Sequence, residues 1–375
     1  MPGLLYLLAT CNLVIGTGAF LLTGMLQPVA ASLGASVAAV GQSMTAYSLA
    51  TALLAPLLLV ATGSWSRRTM LQMGLGLFTC GALVCGLSEN LPALLAGRVL
   101  MGAGAVFTPI SASIAVAVVA PQRRGKALSL TFLGMSMSYV VGLPLGAWLG
   151  LRFGWRVPVL GLAAVSALMI ALVGVWIPSS VRAAAASFRG LGALLRVAAV
   201  FQSLVLTLCY FCAIFTVFSY TGPVLQALNP MTSETLSLTL MVFGLAGVTG
   251  TLTGGWASDR FGPIDTLRMQ LATLAAMMLL LPLTQGHYLP MVVVFFIWGV
   301  AGFGMMSPTQ ARLATAAPAH APILFSLNSS MAYLGTALGA AVGGISSAAS
   351  GFATLSWAGA VFVLLGGWSL WQARR

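Results

Sequence analysis

Arg98-Val-Leu-Met-Gly102-Ala-Gly104 puts a guanidinium inside an apolar run that extends from Leu91 to Val119. That run is too long for an ordinary soluble core helix and long enough to cross a bilayer. An arginine at the centre of such a helix costs roughly 2.5–3.5 kcal/mol on insertion scales, so it needs a partner or a wet cavity. The rest of the chain must supply one of them.

The composition places the whole chain in the same solvent. Of its 375 residues 59% are hydrophobic and only 5% charged, against about 25% charged in a soluble domain. A spanning helix needs about 20 apolar residues, so the length admits roughly a dozen and no sizeable soluble domain. Breaks at Gly, Pro and polar clusters give spans at about 4–27, 36–61, 69–88, 91–119, 125–150 and 157–177, then 197–222, 234–257, 264–284, 288–313, 321–346 and 352–372. The expected fold is an all-α membrane protein of about twelve transmembrane helices in two six-helix pseudo-repeats. The domains are an N-terminal bundle at 1–177, a basic connector at 178–196 that suits a surface-lying amphipathic helix, and a C-terminal bundle at 197–375.

A net charge of +12 would suggest nucleic acid in a soluble chain. Here the positive-inside rule accounts for it. With both termini cytoplasmic, every Lys and Arg except Arg98, Arg152 and Arg156 falls on or at the inner side. The five cysteines all lie in apolar segments and read as small hydrophobes, Cys209-x-x-Cys212 included. The start, Met1-Pro-Gly-Leu, lacks the basic region of a cleaved signal peptide.

The halves echo each other. Leu91-Pro92, Gly102-x-Gly104 and Thr108-Pro109 match Leu289-Pro290, Gly302-x-Gly304 and Ser307-Pro308 in order. Gly142-xxx-Gly146-xxx-Gly150 matches Gly335-xxx-Gly339-xxx-Gly343. Paired repeats of this kind are a transporter architecture.

These residues resemble the major facilitator superfamily, and within it the twelve-helix drug:proton antiporters, a group that includes bacterial sugar and chloramphenicol efflux permeases. Gly255-Trp-Ala-Ser-Asp259-Arg260-Phe-Gly262 looks like the superfamily's signature loop. Leu94-xxx-Arg98-xxx-Gly102 is similar to its fourth-helix motif, and Gly134 with Gly142-Leu-Pro144-Leu-Gly146 to its antiporter motif. Pro121-Gln-Arg-Arg-Gly125-Lys126 is typical of the preceding loop. The resemblance implies a monomeric, multi-pass transporter of the bacterial inner membrane that exports a small molecule, with a proton as coupling ion. It also implies gating by Arg67, Arg68, Asp259, Arg260 and Gly262. Two departures stand out. The first signature loop has Gly63 at its acidic position, and helix 1 has Gly18 and Ala19 where relatives often carry Asp and Glu.

The only acids are Glu89, Glu234, Asp259 and Asp265, all at predicted helix ends or in loops, and His287 and His320 are equally peripheral. No carboxylate is available at mid-membrane as a proton carrier. Arg98 therefore has two open readings. It is a gate residue satisfied by backbone carbonyls, Asn12 and water, or a counter-charge for an anionic substrate. Asn12, Gly16, Phe20, Thr23 and Gln27 share one helical face, which either lines a cavity or packs through small residues. Tyr47, Tyr139, Tyr210, Trp298 and Tyr333 fall near span centres, away from the interfacial belts such residues favour. The substrate-binding candidates are thus Asn12, Phe20, Tyr47, Arg98, Tyr139, Tyr210, Trp298, Asn328 and Tyr333, around a mostly apolar pocket. The sequence holds no P-loop, no nucleophile–base constellation, and no cofactor or metal motif, so no enzyme is expected. Its partners are a small-molecule substrate and the lipid bilayer. An uncoupled facilitator or organic-anion exchanger is the alternative in transport, and a nontransporting sensor or scaffold the alternative outside it.

Overall fold

A computed structural model describes residues 2–62, 64–120, 123–177 and 194–372. Most of the connector, with Met1, Gly63, Pro121, Gln122 and the last three residues, lies outside the described residues. Two compact units divide the chain, Met1–Ser187 and Phe188–Arg375.

In the first unit α1 (Pro2–Phe20) passes into a 3-10 turn (Leu21–Gly24) and then α2 (Leu26–Leu33). Next come α3 (Val37–Ala61), α4 (Arg67–Gly86), α5 (Leu91–Gly104) and α6 (Phe107–Ala117). The unit closes with α7 (Arg124–Met137), a π turn (Ser138–Gly142), α8 (Leu143–Phe153) and α9 (Arg156–Trp176). The second unit has α10 (Ala198–Phe218), α11 (Thr221–Leu228), α12 (Ser233–Phe261) and α13 (Pro263–Leu280). It ends with α14 (Tyr288–Gly304), α15 (Met306–Ala316), α16 (Ala321–Ser350) and α17 (Leu355–Gln372). Among the described residues, eleven helical segments are long and apolar enough to cross a membrane, and Leu355–Leu370 is a shorter apolar helix. The chain is a multi-pass membrane protein, and large side chains such as Leu252 and Ile345, about 70% exposed, face what must be lipid.

Several spans are interrupted, and one cause explains the breaks. Proline lacks an N–H and its ring collides with the carbonyl four residues back. Pro28 points to Gly24, the end of the 3-10 turn. Pro109 points to Ala105, just past α5, and Pro144 to Val140, inside the π turn. Pro223 points to Ser219, just past α10, and Pro308 to Gly304, the last residue of α14. The first and fourth spans of each unit therefore break at corresponding places, by Pro28 and Pro223 and by Pro109 and Pro308. Pro56 departs from the rule, since α3 continues through it.

Elsewhere helix starts follow local chemistry. Ser36, Ser66, Asn90 and Thr232 each accept a hydrogen bond from the backbone N–H three residues on, capping α3, α4, α5 and α12. The glycine ladder of α16 lies against α10. A Cβ at Gly335 would come within 2.5 Å of the Leu208 carbonyl oxygen, and one at Gly343 within 2.6 Å of the Thr216 oxygen. Gly339 sits between them on Cys212. In the first unit Gly134 and Gly142 meet α1 at Ala9 and Thr17 in the same manner. Small residues thus bring backbones together where lipid offers no hydrophobic drive.

Replacing Gly339 by Val should overpack this contact and cost about 1–3 kcal/mol, read as a lowered thermal midpoint of purified protein. Gly76→Ala, at a position with nothing within 4 Å of the added carbon, should leave the midpoint unchanged or raise it.

Candidate functional site

Arg98, only 2% exposed, is the centre of the first unit's polar interior. Its Nη1 donates to the Gly18 carbonyl at 2.7 Å and its Nη2 to the Ala19 carbonyl at 2.6 Å. Its Nε donates to the Ser43 carbonyl at 3.3 Å. The guanidinium carbon lies 4.7 Å from the centre of the Tyr47 ring, and the Met101 and Met44 sulfurs lie 4.0 and 3.9 Å from its nitrogens. A void of about 10 Å³, with space for roughly one water, adjoins Arg98 beside Gly18, Leu21 and Cys85.

The two shortest bonds go to the last turn of α1, where α-helical bonding gives way to the 3-10 turn. A helix C-terminus carries roughly half a negative charge on its carbonyls. The broken end of α1 is thus the counter-charge that the sequence does not spell as a carboxylate. Gly18 also owes its size to this place, because a Cβ there would strike Phe78.

Asn12 is not a partner of Arg98. It is fully buried, and its amide donates to Ser111 Oγ at 3.0 Å and to the Thr131 carbonyl at 3.2 Å, while Thr108 donates to its oxygen at 3.1 Å. Both N–H donors join α1 to α6 and α7, so Asn12 acts here as a cross-helix clamp. The same helical face also packs through a small residue. Gly16 abuts Ser138 and Met135 of the fifth span, and the 3-10 turn takes Gln27 out of register.

Phe20, the last residue of α1, stacks on Tyr139 in the π turn, with ring centres 4.8 Å apart. Phe20 follows the Ala19 carbonyl that Arg98 holds. Four candidates, Phe20, Tyr47, Arg98 and Tyr139, therefore form one cluster built on the end of α1.

The second unit separates its candidates. Asn328 is fully buried, accepts from Thr207 at 2.6 Å and donates to the Met306 sulfur at 3.2 Å. Tyr210 reaches the same sulfur at 3.8 Å. This clamp joins α10, α15 and α16, the counterparts of the helices joined by Asn12. Trp298, at the position of Arg98 in the repeat, packs against both Phe243 and Phe295 at 5.1 and 5.3 Å, and its indole N–H has no acceptor among the described residues. Tyr333 is half-buried in α16.

The gating candidates are divided between the two units. Arg67 is buried at the start of α4, with Nη1 3.2 Å from the Met70 sulfur, and Arg68 is half-buried beside it. Asp259 and Arg260 are exposed, and Arg260 lies 5.8 Å over each of the Trp256 and Phe261 rings. Gly262, at φ +83°, turns the chain between α12 and α13, a conformation that favours glycine. The ion pair of this loop joins Asp265 to Arg268 at 2.7 Å, with side chains 69% and 31% exposed, and such surface pairs contribute little. All four acids are exposed.

Helices interrupted at depth, a buried cation and exposed apolar flanks are features of polytopic helical membrane proteins, transporters among them. The chain belongs to the Major Facilitator Superfamily, whose family model matches residues 8–340. It is similar to the MFS-type transporter YbcL of Bacillus subtilis (strain 168), 27% identical over 96% of this chain and 93% of the relative. A protein of Pasteurella multocida (strain Pm70) named a probable sugar efflux transporter is 26% identical over 96% of this chain and 89% of that one. Among solved structures, a bacterial homolog of the human lysosomal transporter Spinster shares the fold, with a TM-score of 0.87, 16% identity and coverage of 99% and 96%. The family and fold make the chain a transporter of some substrate and not an enzyme.

Arg98→Lys keeps the charge but loses the fork that spans two successive carbonyls. Each charged hydrogen bond lost should cost about 1.5–3 kcal/mol, visible as a lower thermal midpoint. An unchanged midpoint would mean that the contact with α1 carries no stability.

Proposed function

We propose that the chain exports a small, largely apolar organic molecule across a bacterial inner membrane by alternating access, with the two units as the moving bodies and both termini cytoplasmic. The observation that carries this reading is the cluster at the end of α1. An aromatic pair, Phe20 and Tyr139, stands where two interrupted helices meet, and discontinuous helices are where transporters place their sites. Arg98, 4.7 Å from the centre of the Tyr47 ring, holds the Ala19 carbonyl next to Phe20, and Tyr210, Trp298 and Tyr333 are the corresponding aromatic candidates of the second unit taken by itself. Export is supported by the resemblance to efflux permeases and by the name that the Pasteurella relative carries. Arg67, Arg68, Asp259, Arg260 and Gly262 are proposed to govern the gate.

One observation favours a second reading on coupling. All four carboxylates are exposed at helix ends, so a buried acid that takes up and releases a proton is missing from the chain's own chemistry. Facilitated or exchange transport fits that inventory better than proton antiport.

Phe20→Ala and Tyr139→Ala should each lower export of an aromatic probe such as chloramphenicol by about tenfold, a loss of about 1.4 kcal/mol, at normal membrane abundance. Full export by both variants would remove the cluster from the site. In proteoliposomes the flux should be indifferent to an imposed pH gradient, and acceleration by the gradient would restore the antiport reading.

A further inference from the structure

Arg98 has spent its donors on carbonyls, but another buried guanidinium, near a span end, has not. Arg312 in α15 is only 7% exposed. Its Nη2 donates to Gln202 Oε1 in α10 at 2.7 Å, while its buried Nη1 has no hydrogen-bond partner among the described residues. A buried donor left without an acceptor is costly and calls for an occupant. The surroundings favour a negative one. Gln202 lies near the start of α10, and α13 also starts at this end of the unit, so two helix N-termini add partial positive charge. Arg268 of α13 adds like charge to Arg312, and the acid beside it, Asp265, is exposed and engaged with Arg268 itself. The neighbouring core of Leu204, Leu313 and Leu324 is apolar and offers no acceptor side chain. The Gln202 amide nitrogen provides a further donor at the same place.

We propose that Arg312 and Gln202 form a binding site for an oxyanion, a carboxylate or phosphate group carried by a soluble solute or by an anionic lipid headgroup. Nη1 of Arg312 donates to the anion, and Gln202 holds the guanidinium in place through Nη2. The site belongs to the second unit alone and stands whether or not the export reading holds.

The test uses purified full-length protein in an uncharged detergent, with inorganic phosphate or acetate titrated at constant ionic strength set by sodium chloride. The thermal midpoint of the wild type should rise saturably by a few degrees, and Arg312→Gln should abolish the rise. Gln202→Glu supplies an internal carboxylate. It should raise the midpoint without added anion and remove the response, which keeps the test decisive if Arg312→Gln folds poorly. Nanodiscs separate the sources. A rise in phosphatidylglycerol over phosphatidylcholine discs that phosphate cannot add to assigns the site to a headgroup, whereas a phosphate response in both assigns it to a soluble anion. Equal anion responses in wild type and Arg312→Gln, or a wild type indifferent to phosphate, acetate and phosphatidylglycerol, would overturn the proposal and leave water as the occupant.

Discussion

A guanidinium set against a helix end is the interaction on which the first unit depends. Arg98 carries a full charge at a depth where water is scarce, and α1 ends its α-helical course where its carbonyls would lose partners. Each relieves the other's cost. The arrangement also positions the next side chain along, because holding the Gly18 and Ala19 carbonyls places Phe20, and Phe20 meets Tyr139. The cluster is thus assembled outward from an electrostatic contact between side chain and main chain.

Prolines supply the geometry that makes such a contact available. Without an N–H at Pro28, a helix through residues 21–24 would leave a carbonyl unbonded, and the chain changes its winding there instead. The same device recurs at the fourth span of both units, and the fifth span absorbs Pro144 as a π turn. What differs between units is what meets the break. The first unit brings a cation to a helix end. The second brings an indole into a stack of rings, with Trp298, Phe243 and Phe295 in mutual contact. The two asparagine clamps show a similar divergence, since both tie the first, fourth and fifth spans of their units but start from different helices.

The spans and the repeat were legible in the sequence because bilayer thickness demands long apolar runs and proline leaves a letter at each break. The cluster was legible in part. Arg98 and Tyr47 announce themselves by type and depth, yet the partner of Arg98 is backbone, which has no letter of its own. Gly18 and Ala19 read as a deficit of acid when they mark the position of the counter-charge. Polarity at depth is shared by pocket walls and by ties between helices, so the letters of Asn12 and Asn328 do not show the cross-helix bonds that the structure gives them. The helical face drawn through Asn12 and Gln27 assumed one continuous helix, and the 3-10 turn invalidates that arithmetic. Arg312 was passed over because its position near a span end suggested a solvated charge.

That Arg98 is answered by main chain has a genetic corollary. A side-chain partner can be deleted, reversed or swapped, so its contribution can be isolated in a double-mutant cycle and its loss repaired by a compensating codon. The carbonyls of residues 18 and 19 exist whatever those codons specify. No substitution at either position removes the acceptor, and none can restore a contact once the arginine is gone. Revertants of an Arg98 variant must therefore act through the path of the backbone, at Pro28, at Phe78 beneath Gly18, or at other positions that decide where α1 stops.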